Sequence, residues 1–146
     1  MTNWKIDESH SEIGFKVKHL MITNVSGYFT RFSGSIQTNS DDFHDATIIF
    51  EAAADSVDTQ NRQRDEHLRN GDFFDSTHHP RISFVSKKVK KIDDEKYKLL
   101  GDLTIKGETH PIELDVHHSG VTIDPYGQTK AGFALKGRLH RADYGL

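Results

Sequence analysis

Apolar and polar residues alternate singly along short runs of this chain. That period of two restricts the fold more than any other feature, because successive side chains of a β-strand point to opposite faces. In residues 13–20, Ile13, Phe15, Val17 and His19 share one phase and Gly14, Lys16 and Lys18 the other. The next run sets Tyr28, Phe32 and Ile36 in one phase, with Gly27 and Gly34 as bend points and Asn39-Ser40-Asp41-Asp42 as its closing turn. Residues 46–54 place Ile48, Phe50 and Ala52 on one face against Ile49 and Glu51. Residues 81–89 align Ile82 with Phe84, and Asp93-Asp94 turns the chain. Residues 97–106 and 111–118 flank a hairpin loop at 107–110, so that Leu99, Leu103 and Ile105 share an inner side with Ile112, Leu114 and Val116. Residues 130–139 set Ala131, Phe133, Leu135 and Leu139 opposite Lys136 and Arg138.

One stretch breaks the alternation. Residues 56–75 crowd Asp58, Arg62, Arg64, Asp65, Glu66, His67 and Arg69 around Leu68, Phe73 and Phe74. This predicts a short polar helix over a barrel end. The offsets from Asp58 to Arg62 and from Asp65 to Arg69 match i, i+4 ion pairs on a solvated face. Seven or so short strands with one helical piece define an all-β antiparallel barrel or sandwich. At 146 residues the chain fits a single domain spanning 1–146.

Composition narrows the function classes. A net charge of -3 supplies no broad basic surface for a phosphate backbone, which argues against nucleic acid as a partner. The absence of cysteine removes disulfides and thiol chemistry from consideration. No run approaches the roughly 20 apolar residues of a membrane helix. The opening residues carry no secretory pattern, so the chain reads as cytoplasmic, and as periplasmic if a precursor segment has been removed. Ten histidines suggest metal binding, but the neighbours in His78-His79 and His117-His118 would point to opposite faces of a strand, and no metal is expected. Asp7, Ser9, His10 and Ser11 contain the letters of a hydrolase triad without a signal for an oxyanion hole. What remains is a ring of inward-phase apolar residues. Small barrels are usually filled, and a filled barrel shares its alternation with a hollow one.

Ordered motifs carry a resemblance across nearly the whole chain. They run from Trp4-Lys5-Ile6-Asp7 and Ser9-His10-Ser11 through Phe15-Lys16-Val17-Lys18-His19-Leu20, Val25-Ser26-Gly27-Tyr28-Phe29 and Phe32-Ser33-Gly34. Ser56-Val57-Asp58-Thr59, Arg64-Asp65-Glu66-His67-Leu68, Asp72-Phe73-Phe74-Asp75 and His79-Pro80-Arg81-Ile82-Ser83-Phe84 follow. Gly101-Asp102-Leu103-Thr104-Ile105-Lys106-Gly107 and Arg141-Ala142-Asp143-Tyr144-Gly145 complete the set. In these the chain resembles the YceI-like family of polyisoprenoid-binding, lipocalin-like proteins.

The resemblance implies an extended antiparallel lipocalin-like barrel of about eight strands, hollow enough to hold an isoprenoid, a quinone-type molecule or a fatty-acid-like amphiphile, with transport or storage as the function. Its cavity would be lined by Phe15, Val17, His19, Phe32, Ile36, Ile48, Phe50, Ile82, Phe84, Leu103, Ile105, Leu114, Val116, Phe133 and Leu135. Asp58, Arg64, Asp65 and His67 would fix the helical cap, and Asp143 would pair near the barrel end. No cofactor other than the bound lipid is implied, and no catalysis. The sequence departs from the family pattern at His140, where an asparagine is usual, and it stops at Leu146, before a final strand that members usually carry. That end predicts an exposed edge: either the domain is C-terminally incomplete, a truncated version of the family barrel, or a second copy covers the gap in a homodimer. Two other classes compete: an enzyme acting on an isoprenoid or quinone through His10, Asp65 and His67, and a stress-response structural module with a filled barrel.

Overall fold

The computed structural model describes residues 2–19, 23–39 and 43–146. Ten strands, one α-helix and three single turns of 3-10 helix follow one another in these stretches. Seven strands form one antiparallel sheet in the order β1 (Thr2–Lys5), β4 (Phe32–Thr38), β5 (Thr47–Ala53), β7 (Arg81–Lys91), β8 (Lys96–Ile105), β9 (Glu108–Ile123) and β10 (Thr129–Lys136). A smaller antiparallel sheet joins β2 (Ile13–His19), β3 (Thr23–Phe29) and β6 (Val57–Asp58). The large sheet curls strongly into a half-barrel, as the alternation led one to expect.

The inner face follows from register. Gly34 lies opposite Phe50, Phe50 opposite Phe84, and Phe84 opposite Leu103; one strand step away Leu99 lies opposite Leu114 and Tyr97 opposite Val116. Two rings and a missing side chain let the wall bend here. Phe50 and Phe84 stack with centroids 4.9 Å apart, and a Cβ on Gly101 would sit 2.5 Å from the Phe84 ring. Register shifts at Ser86/Lys88 in β7 and opposite Gly132/Phe133 in β10 add local twist of the kind that closes sheets.

The turns are set by local chemistry. Lys106 and Gly107 both adopt positive φ, at 54° and 76°, which is the backbone of a two-residue hairpin. The β8–β9 loop is therefore tighter than the predicted 107–110, and β9 starts at Glu108 and extends to Ile123, beyond the predicted 118. At 93–96 the Asp93 carboxylate accepts from the backbone N–H groups of Glu95 and Lys96, both at 2.8 Å.

The sequence merged β3 and β4 into one run; the structure separates them at Thr30-Arg31. The break is stabilised from elsewhere, since Thr30 donates its N–H to the Ser56 carbonyl and Arg31 donates to the Ser56 hydroxyl. Crossing this corner changes the inward phase, so Phe29 is buried while Tyr28 faces solvent. Helix α1 (Arg62–Arg69) is shorter than the 56–75 segment that suggested it. Asn61 caps it by accepting from the Arg64 N–H, and eight residues of this composition need such tertiary anchors to stay helical.

Candidate functional site

The curled sheet encloses a core whose centre and flanks differ. At the centre, on β7 and β8, Phe84 and Leu99 are 0% exposed, and Ile82, Tyr97, Leu103 and Ile105 are buried around them. Val116 on β9 joins this group. On the flanks, Phe32, Ile36, Ile48 and Phe50 of β4 and β5 face inwards but are only half-buried, as are Ile112 and Leu114 of β9 and Phe133 of β10. Leu135, opposite Val116, is 43% exposed. The half-covered residues thus form an apolar strip in the trough of the curled inner face, packed against the buried centre from either side.

Both outermost strands reach across that trough. Lys130 of β10 donates to the Asp7 carboxylate, two residues beyond β1, at 2.6 Å. Phe43, from the loop between β4 and β5, packs between Trp4 of β1 and Phe133 of β10, with centroids 5.7 and 4.8 Å away. His118 stacks on Phe133 at 4.6 Å and donates from Nδ1 to the Gly132 carbonyl at 3.0 Å. An aromatic cluster therefore closes one end of the trough. The other end lies at the β8–β9 hairpin, where His110 meets Tyr144 of the short turn Arg141–Tyr144. On the inner face of β9 the row His110, Ile112, Leu114, Val116, His118 connects the two ends over about 26 Å, at roughly 3.3 Å per residue.

Most of the predicted lining residues lie on this wall, namely Phe32, Ile36, Ile48, Phe50, Ile82, Phe84, Leu103, Ile105, Leu114, Val116, Phe133 and Leu135. Phe15 and Val17 belong instead to the smaller sheet, where Phe15 packs against Phe29 and Phe74 at 5.6 and 6.4 Å. His19 closes β2, and its side chain lies outside the described residues. Leu139 lies beyond β10 and is exposed. Trp4, Phe43 and Tyr144 were missed. The first two sit in short or irregular pieces, and Tyr144 reaches the core from a turn that has no period to read.

The polar cluster of 56–75 is a correction. Asp65 is 7% exposed and accepts from the backbone N–H and the hydroxyl of Thr59, at 2.8 and 2.6 Å. Arg64 donates to the same hydroxyl and to the Thr59 carbonyl, and Arg69 donates to the carbonyls of Asp55 and Val57. These side chains tie the helix to the neighbouring β6 segment; the expected Asp58–Arg62 and Asp65–Arg69 ion pairs do not form. Tertiary partners that satisfy buried backbone groups outcompete exposed pairs worth only a few tenths of a kcal/mol. His67 lies outside this network, edge-on to Phe73 at 4.8 Å and 3.9 Å from the Asp72 carboxylate. The Asp143 carboxylate, expected to pair, is exposed and has no hydrogen-bond or ion-pair partner among the described residues.

Asp7, Ser9 and His10 do meet, but not as a triad. The Ser9 hydroxyl donates to Asp7 at 2.8 Å, and His10 approaches both through the same Nδ1, at 3.2 Å from Ser9 and 3.0 Å from Asp7. A nucleophile and an orienting acid must engage opposite ring nitrogens, so this arrangement cannot relay a proton from Ser9. The Lys130 ammonium, then the Ser9 hydroxyl and the His10 ring, hold the Asp7 carboxyl far below the usual carboxylate range. No hydrogen bond brings His10 to Asp65 or His67 among the described residues. His78 is taken up by Asp75 at 2.8 Å, and His117 lies 3.6 Å from Glu95. No helix among the described residues is long and apolar enough to cross a membrane.

A strongly curled seven-stranded antiparallel sheet with an apolar inner wall, accompanied by a small second sheet and one short helix, is a lipocalin-like barrel architecture. Residues 4–146 match the model of the YceI-like domain, and the chain belongs to that family. A UPF0312 protein of Staphylococcus epidermidis is 38% identical over 147 aligned positions, covering 100% of this chain and 83% of its own length. The crystal structure of a Campylobacter jejuni YceI protein aligns with a TM-score of 0.79 at 38% identity, over 99% of this chain and 84% of the other. Burkholderia cenocepacia BcnA shares the fold, with a TM-score of 0.74 at 22% identity over 81% of this chain and 74% of its own.

Proposed function

We propose that this protein binds a long-chain amphiphile, an isoprenoid, quinone-type or fatty-acid-like molecule, along the inner wall of the half-barrel, and carries or stores it. One observation carries the reading: Phe32, Ile36, Ile48 and Phe50 of one flank and Ile112, Leu114 and Phe133 of the other share the inward phase of the curled sheet and are only half covered. Apolar surface left open inside a curved sheet favours a hydrocarbon guest, at about 0.8 kcal/mol for each methylene removed from water. A molecule with many methylenes needs few polar contacts, so selectivity rests on length and shape. Family membership supports the same reading.

The test is extraction of the protein purified without detergent from its native host, followed by mass spectrometry of the organic phase. A stoichiometric long-chain molecule is the expected result. Its absence, together with no rise in melting temperature on adding prenols or fatty acids, would overturn the proposal. A second reading, a filled structural module, is favoured by the complete burial of Phe84 and Leu99 at the centre of the wall. The same titration separates the two, because a filled module gains no stability from added lipid.

A further inference from the structure

Two buried side-chain polar atoms among the described residues have no hydrogen-bond partner: Nε2 of His110 and the hydroxyl of Tyr144. They belong to neighbouring rings, with centroids 5.0 Å apart and planes inclined at 80°. His110 heads the inward row of β9, one pleat before Ile112, and lies opposite Leu103. Tyr144 is 1% exposed and packs into the same core from the turn that follows β10. A ring kept only for packing has no use for the hydroxyl, because a buried polar group without a partner weakens the fold.

We propose that His110 and Tyr144 form the head-group site of the trough, taking the uncharged oxygen of a long-chain molecule, a prenol hydroxyl or a quinone carbonyl. This rests on the function proposed above and adds a direction to it: the polar end sits at the β8–β9 hairpin, and the hydrocarbon runs along Ile112 and Leu114 towards the aromatic cluster at Phe43. The donor and acceptor inventory fits. A tyrosine hydroxyl both donates and accepts, while Nε2 of a neutral imidazole takes either role according to its tautomer. A prenol hydroxyl can accept from Tyr144 and donate to His110; a carbonyl can accept from both.

Charge argues against an ionic head. The nearby Lys106 ammonium is engaged by the carbonyls of Gly71 and Gly145, at 2.9 and 3.3 Å. Burial, with Asp143 next in sequence, raises the Tyr144 hydroxyl above its ordinary pKa, so it remains a protonated donor at neutral pH. Enclosing a carboxylate or phosphate beside such a pair is unfavourable unless a cation reaches it, and two of the three Lys106 protons are already held by the Gly71 and Gly145 carbonyls. A bridging water satisfies the same two atoms, and the experiment distinguishes it.

The full chain is titrated with geranylgeraniol and with squalene, a prenyl hydrocarbon without oxygen, in wild type, Tyr144→Phe and His110→Leu. Wild type is expected to prefer the alcohol. Tyr144→Phe should weaken the alcohol about tenfold, the equivalent of one hydrogen bond to a buried group, and leave squalene unchanged. Its ligand-free melting temperature should hold or rise, since an unpartnered hydroxyl has gone. Unchanged alcohol affinity in both variants overturns the head-group site while leaving the trough intact. A fall in melting temperature of ligand-free Tyr144→Phe with unchanged affinity assigns the pair to a structural water and also overturns it. Failure of wild type to bind either probe removes the function on which the inference stands.

Discussion

Asp65 is the residue at which the sequence pattern misleads most. Among arginines and carboxylates it reads as one charge of a solvated face, yet it is buried and holds both the N–H and the hydroxyl of Thr59. Replacing it with alanine strands those donors away from water. The expected cost is about 2 kcal/mol, against well under about 1 kcal/mol for Asp58→Ala, whose carboxylate is exposed. Urea midpoints for the two variants check this, and equal losses would contradict the assigned role. Gly101 is the second such residue. A Cβ there would lie 2.5 Å from the Phe84 ring and from the Val85 carbonyl, neither of which can move without distorting the wall. Gly101→Ala should therefore destabilise by about 2 kcal/mol, as overpacking does, although alanine favours a strand no less than glycine. A neutral result in chemical denaturation would mean that the wall is softer than it looks.

The elements were legible where local alternation coincides with tertiary burial. β5 and β8 were readable because each keeps one phase towards a single interior, such as Ile48, Phe50 and Ala52, and β7 was readable up to its register shift, where Ile82 and Phe84 hold that phase. β3 and β4 were not separable, since Thr30-Arg31 contains no glycine or proline and its hydrogen bonds come from Ser56, far along the chain. β1 and β6 are too short to show a period, at four and two residues. For the site, the hydrocarbon wall was readable and its ends were not. His110 keeps the phase of Ile112 and Leu114 and could have been found by parity, whereas Tyr144 could not. The contact between the outermost strands is a further element-scale feature invisible in sequence, and it predicts a pH response. Asp7 is held below its ordinary pKa of 3.8, so its pair with Lys130 contributes stability above that value and loses it as the pH falls through the depressed one. Lys130 is raised above its ordinary 10.5, so the contribution is complete below that value and disappears as the pH rises through the raised one. The stability difference between wild type and Asp7→Asn should hold across neutral pH, shrink below about pH 4 and above about pH 10, and decrease in high salt. Denaturation at several pH values reads it directly, and a pH-independent difference would exclude the ion pair as its source.

For the whole molecule, the division of the inner wall into a buried centre and half-covered flanks separates stability from binding. Leu99 is fully enclosed, so Leu99→Ala leaves a cavity and should cost about 3 kcal/mol. Leu135 faces the same interior from the outermost strand and is 43% exposed, so Leu135→Ser removes little that folding had buried and should cost under about 1 kcal/mol. The order reverses once a long-chain guest is added. The guest covers Leu135 and removes it from water, so the serine variant loses burial that exists only in the complex, and its affinity should fall about fivefold to tenfold. Leu99 is already covered by protein, so the affinity of the alanine variant should change less than its stability does. The measurement is a pair of numbers for each variant, a urea midpoint without lipid and a dissociation constant with it. If Leu135→Ser binds as wild type does, the guest does not lie along the β10 flank, and the trough of the curled sheet is not its seat.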